Sequence, residues 1–144
     1  MHYRKCGTAY VIKLDIGEEV IPTLSSFIRK KGIMSGWLQG IGAVDHVTIG
    51  SYDIKHRKYD KTILKGDQEL LSMTGNVSWL DRNPALHVHA TFADHNQQMS
   101  GGHLFEARTC VTVEVLLVPW ATRLKRQMDE QTGLSLLALG TARR

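Results

Sequence analysis

Four histidines lie within residues 84–104, the stretch PALHVHATFADHNQQMSGGHL. Imidazole is the side chain best suited to bind a transition metal or to exchange a proton near neutral pH. Residues i and i+2 of a β-strand project from the same face, so the HVH at 87–89 presents His87 and His89 side by side. The residues of the opposite face, centred on Val88, are apolar, which predicts a strand with one buried side.

A third imidazole joins this pair if the chain turns back on itself. The segment DHNQQMSGG at 94–102 is rich in turn residues and predicts a hairpin centred near Asn96. In that register His89 lies opposite His103, and directly opposed residues share a face with Cβ atoms about 4.5–5.5 Å apart. We therefore predict a cluster of His87, His89 and His103. His95 falls in the turn, as a solvated histidine or one that orients a ligand from outside the cluster.

Three neutral imidazoles at this separation suit zinc or another borderline divalent ion, with a water in the fourth position. Such a water is acidified toward neutral pH, which is the starting point of metal-assisted hydration or hydrolysis. Glu69, Glu114 and Asp94 are the carboxylates that could orient the fourth ligand or act as a base; salt-bridged or edge-exposed carboxylates are the alternative.

Two other readings of the histidines stay open. Single strand histidines are often structural or exposed. A cupin-type jelly roll also uses H-x-H, but it normally has a glutamate four or five residues later, where this chain has Ala93 and Asp94.

Glycines at 36, 40 and 42, in GWLQGIGAVDHVTIG, suggest a nucleotide-binding loop at first sight. The register does not fit, because the third glycine of GxGxxG would fall at Asp45 and a strand follows instead of a helix. No GK[ST] occurs either. The glycines instead predict a tight bend or a close crossing of strands.

Around these residues the sequence predicts an α+β fold. The segment CGTAYVIKLDIGEE at 6–19 predicts a first strand, with Tyr10, Ile12 and Leu14 alternating before a turn at Gly17. A helix over 18–31 follows, with Pro22 in its first turn and Gly32 as its end. Short alternating runs then predict strands at 33–43, 45–54, 58–65, 68–79, 85–93 and 103–118. After a connection with one or two helical turns, a last strand is expected at 134–139.

We expect one early helix packed on a strongly bent, mostly antiparallel sheet of about seven or eight strands. So many strands with one helix leave a sheet face to cover, either by closure into a barrel-like sheet or by other subunits. A chain of 144 residues is most simply one domain, here 1–144 with a core at about 6–120 and a C-terminal extension at 121–144.

The composition is that of a globular protein, with 42% hydrophobic and 22% charged residues and a net charge of +4. Basic clusters at Arg29, Lys30 and Lys31 and at Arg123 and Arg126 permit phosphate contacts but do not require them. Cys6 and Cys110 have no CxxC spacing and predict reduced thiols. No apolar run reaches the length of a membrane span and MHYRKC is not a signal peptide, so a cytoplasmic protein is expected.

The order of the motifs resembles one known family. The chain has a helix, then RKKGIMSGWLQGIGAVDHVTIGSYD, GDQELLSMTGN, LHVHATFAD, GGHL and TVEVLLV, and in this order they resemble the plants and prokaryotes conserved (PPC) domain from about residue 6 to 120. The resemblance implies an α+β fold assembled as a homotrimer. It also implies a zinc-type site at His87, His89 and His103, with no established reaction.

The family is often called DNA-binding because its plant members carry AT-hooks with an R-G-R-P core, which this chain lacks. Two functions follow as expectations. The first is a homotrimeric metal-binding protein of unknown reaction. The second is a DNA-associated regulatory module that uses its basic surface clusters. An oligomeric scaffold with purely structural histidines is a third.

Overall fold

The computed structural model of the protein describes residues 1–140 and confirms the α+β fold. The elements in chain order are β1 (His2–Cys6), β2 (Ala9–Leu14), α1 (Val20–Lys31), β3 (Ser35–Asp53), β4 (Lys58–Leu64), β5 (Gln68–Leu80), β6 (Asn83–Ala93), β7 (Met99–Trp120), β8 (Arg126–Asp129) and β9 (Leu134–Leu137). Within residues 1–140, no helix is both long and apolar enough to span a membrane.

Seven strands form one antiparallel sheet in the order β1-β2-β7-β6-β5-β3-β4, and β7 also pairs with β3. The pairings therefore run in a ring from β3 through β5, β6 and β7 back to β3. This ring is the barrel-like closure expected from the number of strands. The small sheet of β8 and β9 is separate.

Helix α1 covers one part of the core. Its buried residues Val20, Leu24, Phe27 and Ile28 recur at helical spacing and pack into the same cluster as the inner faces of the strands. The helix ends as predicted at Gly32, which adopts a left-handed φ of 64° and donates its N–H to the Arg29 carbonyl.

The glycines of β3 allow β3 and β7 to approach each other closely. A Cβ on Gly36 would lie 2.5 Å from the carbonyl oxygen of Val118, and one on Gly42 would lie 2.1 Å from that of Thr112. The prediction of a close strand crossing is confirmed. The two strands predicted at 33–43 and 45–54 are one continuous strand, with a register shift between Gly40 and Gly42.

The C-terminal connection differs from the prediction of helical turns. Residues 126–129 form β8, which pairs with β9. The turn between them favours a hairpin because the Asp129 carboxylate accepts hydrogen bonds from the N–H and hydroxyl of Thr132, and Gly133 takes a φ of 73°. The fully exposed strand β1 was also not predicted, since its polar residues show no apolar alternation.

The turn between β6 and β7 is fixed by Asp94. Its carboxylate accepts hydrogen bonds from the backbone N–H groups of Asn96 and Gln98, at 2.8 and 2.9 Å. Gln97 adopts a φ of 61°, a conformation that a turn of this kind requires. The polar side chain is thus used to set the geometry of the turn.

Gly75 keeps β5 against β6 next to the histidines, because a Cβ there would lie 2.2 Å from the His87 carbonyl oxygen. We predict that Gly75→Ala lowers the free energy of unfolding by at least about 2 kcal/mol, since two backbones must separate. Gly140→Ala, where a Cβ meets nothing within 4 Å, is the matched control. Denaturant unfolding followed by tryptophan fluorescence measures both, and equal stability of the two variants would contradict this reading.

Candidate metal centre

Strands β6 and β7 bring the three predicted imidazoles together on the sheet face opposite the core. His89 pairs directly with His103, which confirms the predicted hairpin register. Val88, between the two histidines of β6, is fully buried on the other face. The ring centroids of His87, His89 and His103 are 5.1, 5.3 and 5.5 Å apart, and one nitrogen from each ring lies within 4.8 Å of the others.

One pair of nitrogen atoms has the spacing that a bound divalent ion would require. The Nε2 atoms of His87 and His89 are 3.2 Å apart, and two imidazoles bound tetrahedrally to zinc at about 2.0–2.1 Å place their nitrogens about 3.3 Å apart. The Nδ1 atom of His103 is buried without a hydrogen-bond partner among the described residues. A buried, unpaired polar atom of this kind is costly in a protein and calls for a partner that the chain itself does not supply within residues 1–140.

Burial favours the neutral form of two of the three imidazoles, His87 and His103. It lowers the pKa of His103 to about 4, with smaller contributions from His87 and His89 and from nearby cations. Burial is also the main reason why the pKa of His87 is lowered, followed by the charge of Arg126. At neutral pH these two rings therefore carry lone pairs, and a metal ion need not displace protons from them.

Arg126, from β8, is held beside the cluster by neutral groups. It donates hydrogen bonds from Nε to the Ser78 hydroxyl at 2.8 Å, from Nη1 to the Ser135 carbonyl at 2.8 Å, and from Nη2 to the Asn76 side-chain oxygen at 3.0 Å. Burial lowers the pKa of Arg126, and among residues 1–140 no carboxylate lies within 4 Å of it. The guanidinium is thus a positive charge without a counter-ion.

Between the cluster and the β8–β9 hairpin lies a cavity of about 190 Å³, which we call the hairpin cavity. Its polar walls are His87, His103, Arg126 and Tyr59. The Tyr59 ring lies 5.2 Å from that of His103, and burial raises the pKa of its hydroxyl. Tyr59 could not be predicted from the sequence, because only the pairing of β4 with β3 and of β3 with β7 brings it here.

The other residues predicted for the site lie elsewhere. Glu69 pairs with Ala93 and borders a second cavity together with His95. Glu69 is five strand positions from Thr74, the partner of His89, which at about 3.3 Å per residue is about 16 Å. Glu114 is exposed on the outer face of β7. The structure therefore brings none of these three to the imidazoles.

The basic residues that were predicted to contact phosphate lie in different surroundings. Arg29 and Lys30 are exposed at the end of α1. Arg29 donates a hydrogen bond to the Asn83 side-chain oxygen, and Lys31 donates one to the Tyr3 hydroxyl. Arg123 is exposed and lies 4.2 Å from the ring centre of Trp79. Arg126 faces the hairpin cavity and is bound internally, so it is not part of the outer basic surface.

Comparison with known proteins gives a consistent family assignment. A family model described as the Plants and Prokaryotes Conserved (PCC) domain, the PPC domain of the sequence analysis, matches residues 1–121. No curated protein is similar enough in sequence to match the chain.

Three solved structures illustrate the similarity. A metal-containing protein, AF0104 from Archaeoglobus fulgidus, is 33% identical, with a TM-score of 0.86 over 96% of this chain and 99% of that one. A PPC protein from Pyrococcus horikoshii is 29% identical, with a TM-score of 0.85 over 96% and 95%. A "putative DNA binding protein" from Bacteroides thetaiotaomicron is 28% identical, with a TM-score of 0.92 over 95% and 96%.

Proposed function

The chain belongs to the Plants and Prokaryotes Conserved domain family, and we propose that it is a homotrimeric protein that binds zinc or a similar divalent ion through His87, His89 and His103. The observation that carries the proposal is the convergence of three imidazole nitrogens, one each from His87, His89 and His103. The metal-containing protein of Archaeoglobus fulgidus, which aligns along almost the whole chain, supports it.

The donor set favours a borderline ion. Three neutral nitrogen ligands suit zinc and its neighbours, whereas calcium and magnesium require oxygen. The three-histidine group contains no carboxylate, so the charge of the ion is not neutralised by its protein ligands. When bound, a zinc-type ion with three protein ligands supplies Lewis acidity at an open position. The histidines themselves orient the ion, and burial favours the neutral form of His87 and His103.

Assembly as a homotrimer is supported by an exposed apolar patch on the outer sheet face. Val11 and Leu116 are directly paired across β2 and β7, and with Ile41 they line one shallow cleft. Ile41 continues into a second cleft with Leu71 and Val111. These five side chains are between 38% and 63% exposed. A connected apolar surface of this kind is typical of a subunit interface.

A cytoplasmic location is part of the proposal. Cys6 is exposed and Cys110 is partly buried, and both are free thiols. Free cysteines persist in a reducing compartment.

We predict that protein purified without a histidine tag contains one divalent ion per chain after exposure to zinc. His87→Ala combined with His89→Ala should lose nearly all of it, because two of three ligands are gone. The double variant His56→Ala, His95→Ala removes the same number of imidazoles away from the cluster and should keep its metal. Elemental analysis after dialysis decides: no stoichiometric metal in the wild type, or equal metal in both double variants, contradicts the site.

We predict a mass in solution close to three times the 16.2 kDa chain. Ile41→Arg combined with Leu116→Arg should shift the protein to monomer, since two charges would be buried in the interface. Ile54→Arg combined with Ile63→Arg places the same charges on exposed positions outside the patch and should leave the trimer intact. Light scattering after gel filtration measures the mass, and a monomeric wild type would refute the assembly.

A DNA-associated module is the second candidate, and it is favoured by the similar Bacteroides protein and by the exposed Arg29 and Lys30. Side chains that contact phosphates release counterions, so binding should weaken steeply with salt. Arg29→Glu with Lys30→Glu should flatten the log–log salt dependence by about 2, whereas Lys55→Glu with Lys58→Glu should not. Failure to retain duplex DNA even at low salt eliminates this function.

A further inference from the structure

The hairpin cavity is lined both by residues within the range that matches the family model and by residues beyond that range. His87, His103 and Tyr59 lie within residues 1–121, which match the family model, whereas Arg126 and the walls formed by Leu134 and Leu136 come from the hairpin beyond that range. What the cavity binds is thus determined by residues that the metal site itself does not need.

The charges around the cavity select an anion. Arg126 has five N–H donors, of which three are used, and its acceptors are a hydroxyl, a carbonyl and an amide. Lys61, whose Nζ lies over the Phe105 ring, adds a second positive charge near His103. A divalent ion on neutral imidazoles would increase the positive potential further. A half-buried guanidinium without a carboxylate partner is costly unless a ligand supplies the negative charge.

The size and the lining residues of the hairpin cavity limit the uncharged part of the anion that it could bind. A volume of about 190 Å³ is below the usual range of ligand pockets and suits a small molecule. Ala85, Leu86, Leu134 and Leu136 add apolar side chains to the lining of the cavity. A phosphate ion has no apolar part to contact these walls. A carboxylate on a short carbon chain matches both the planar donor group and the leucines.

We propose that the hairpin cavity binds a small monocarboxylate beside the metal ion, with Arg126 as the residue that selects for the negative charge. The inference rests on the proposed metal site and adds the chemical class of its ligand. Arg126 thereby determines specificity, while His87, His89 and His103 hold the ion.

The test uses full-length protein loaded with cobalt(II), whose visible spectrum reports changes at the ion. Butyrate should change the spectrum saturably, and butyramide, which has nearly the same shape without the charge, should bind much more weakly. Inorganic phosphate is titrated in parallel and should bind more weakly than butyrate. Competition by butyrate for the cobalt site is excluded by measuring cobalt content after each titration.

Arg126→Gln should reduce the preference for butyrate over butyramide by about 10- to 100-fold, as expected when a charged hydrogen-bonding partner is lost. Arg126→Lys keeps the positive charge but loses the planar pair of N–H donors of the guanidinium, and it should retain part of the preference for butyrate. Arg82→Gln removes the same group from the exposed turn after β5 and should retain all of it. A hairpin that merely loosened in Arg126→Gln would weaken both ligands alike and leave their ratio unchanged.

Each of the remaining experimental outcomes contradicts one specific proposal. If the wild type binds no cobalt, the proposed metal site is wrong. If cobalt binds but butyrate leaves its spectrum unchanged, or binds no better than butyramide, the carboxylate inference alone is overturned. Tighter binding of phosphate than butyrate, or an unchanged butyrate to butyramide ratio in Arg126→Gln, overturns it as well.

Discussion

The register of β6 between its two neighbours is the constraint on which the site depends. A shift of one residue would place Val88 where His89 lies and turn both imidazoles of the strand into the core. Asp94 fixes the register on the β7 side through two backbone hydrogen bonds in the turn. Gly75 fixes the spacing on the β5 side, where there is no room for a side chain. The imidazole cluster is thus a consequence of backbone geometry.

The hairpin of β8 and β9 covers one side of this cluster, since Leu134 and Leu136 line the hairpin cavity together with His87 and His103. Burial lowers the pKa of both histidines. The same cover brings in Arg126, which binds Ser78 and Asn76 on β5 and so ties the hairpin to the sheet. Arg126 therefore both anchors the hairpin to the sheet and places a positive charge in the hairpin cavity.

The sequence was sufficient for the parts of the site that depend on local pattern. Alternation placed His87 and His89 on one face, and turn residues predicted the opposition of His103, because a hairpin is determined by neighbours in the chain. Arg126 was recognised only as one residue of a basic cluster. Its place beside the imidazoles depends on packing between segments about 50 residues apart, as its bond to Asn76 shows, and no periodicity encodes such packing.

Two of the predicted carboxylates, Glu69 and Glu114, lie away from the imidazoles for a related physical reason. Glu114 lies within the apolar run CVTVEVLLV, but it projects from the outer face of β7, which is exposed in a single chain. On that face an acidic residue beside Leu116 and Ile41 is compatible with a subunit boundary, where polar and apolar groups alternate. Strand β7 carries His103 near one end and this boundary near the other. The proposed subunit interface and the proposed ligand site therefore involve two ends of one strand, and a change of its pairing with β3 would alter both.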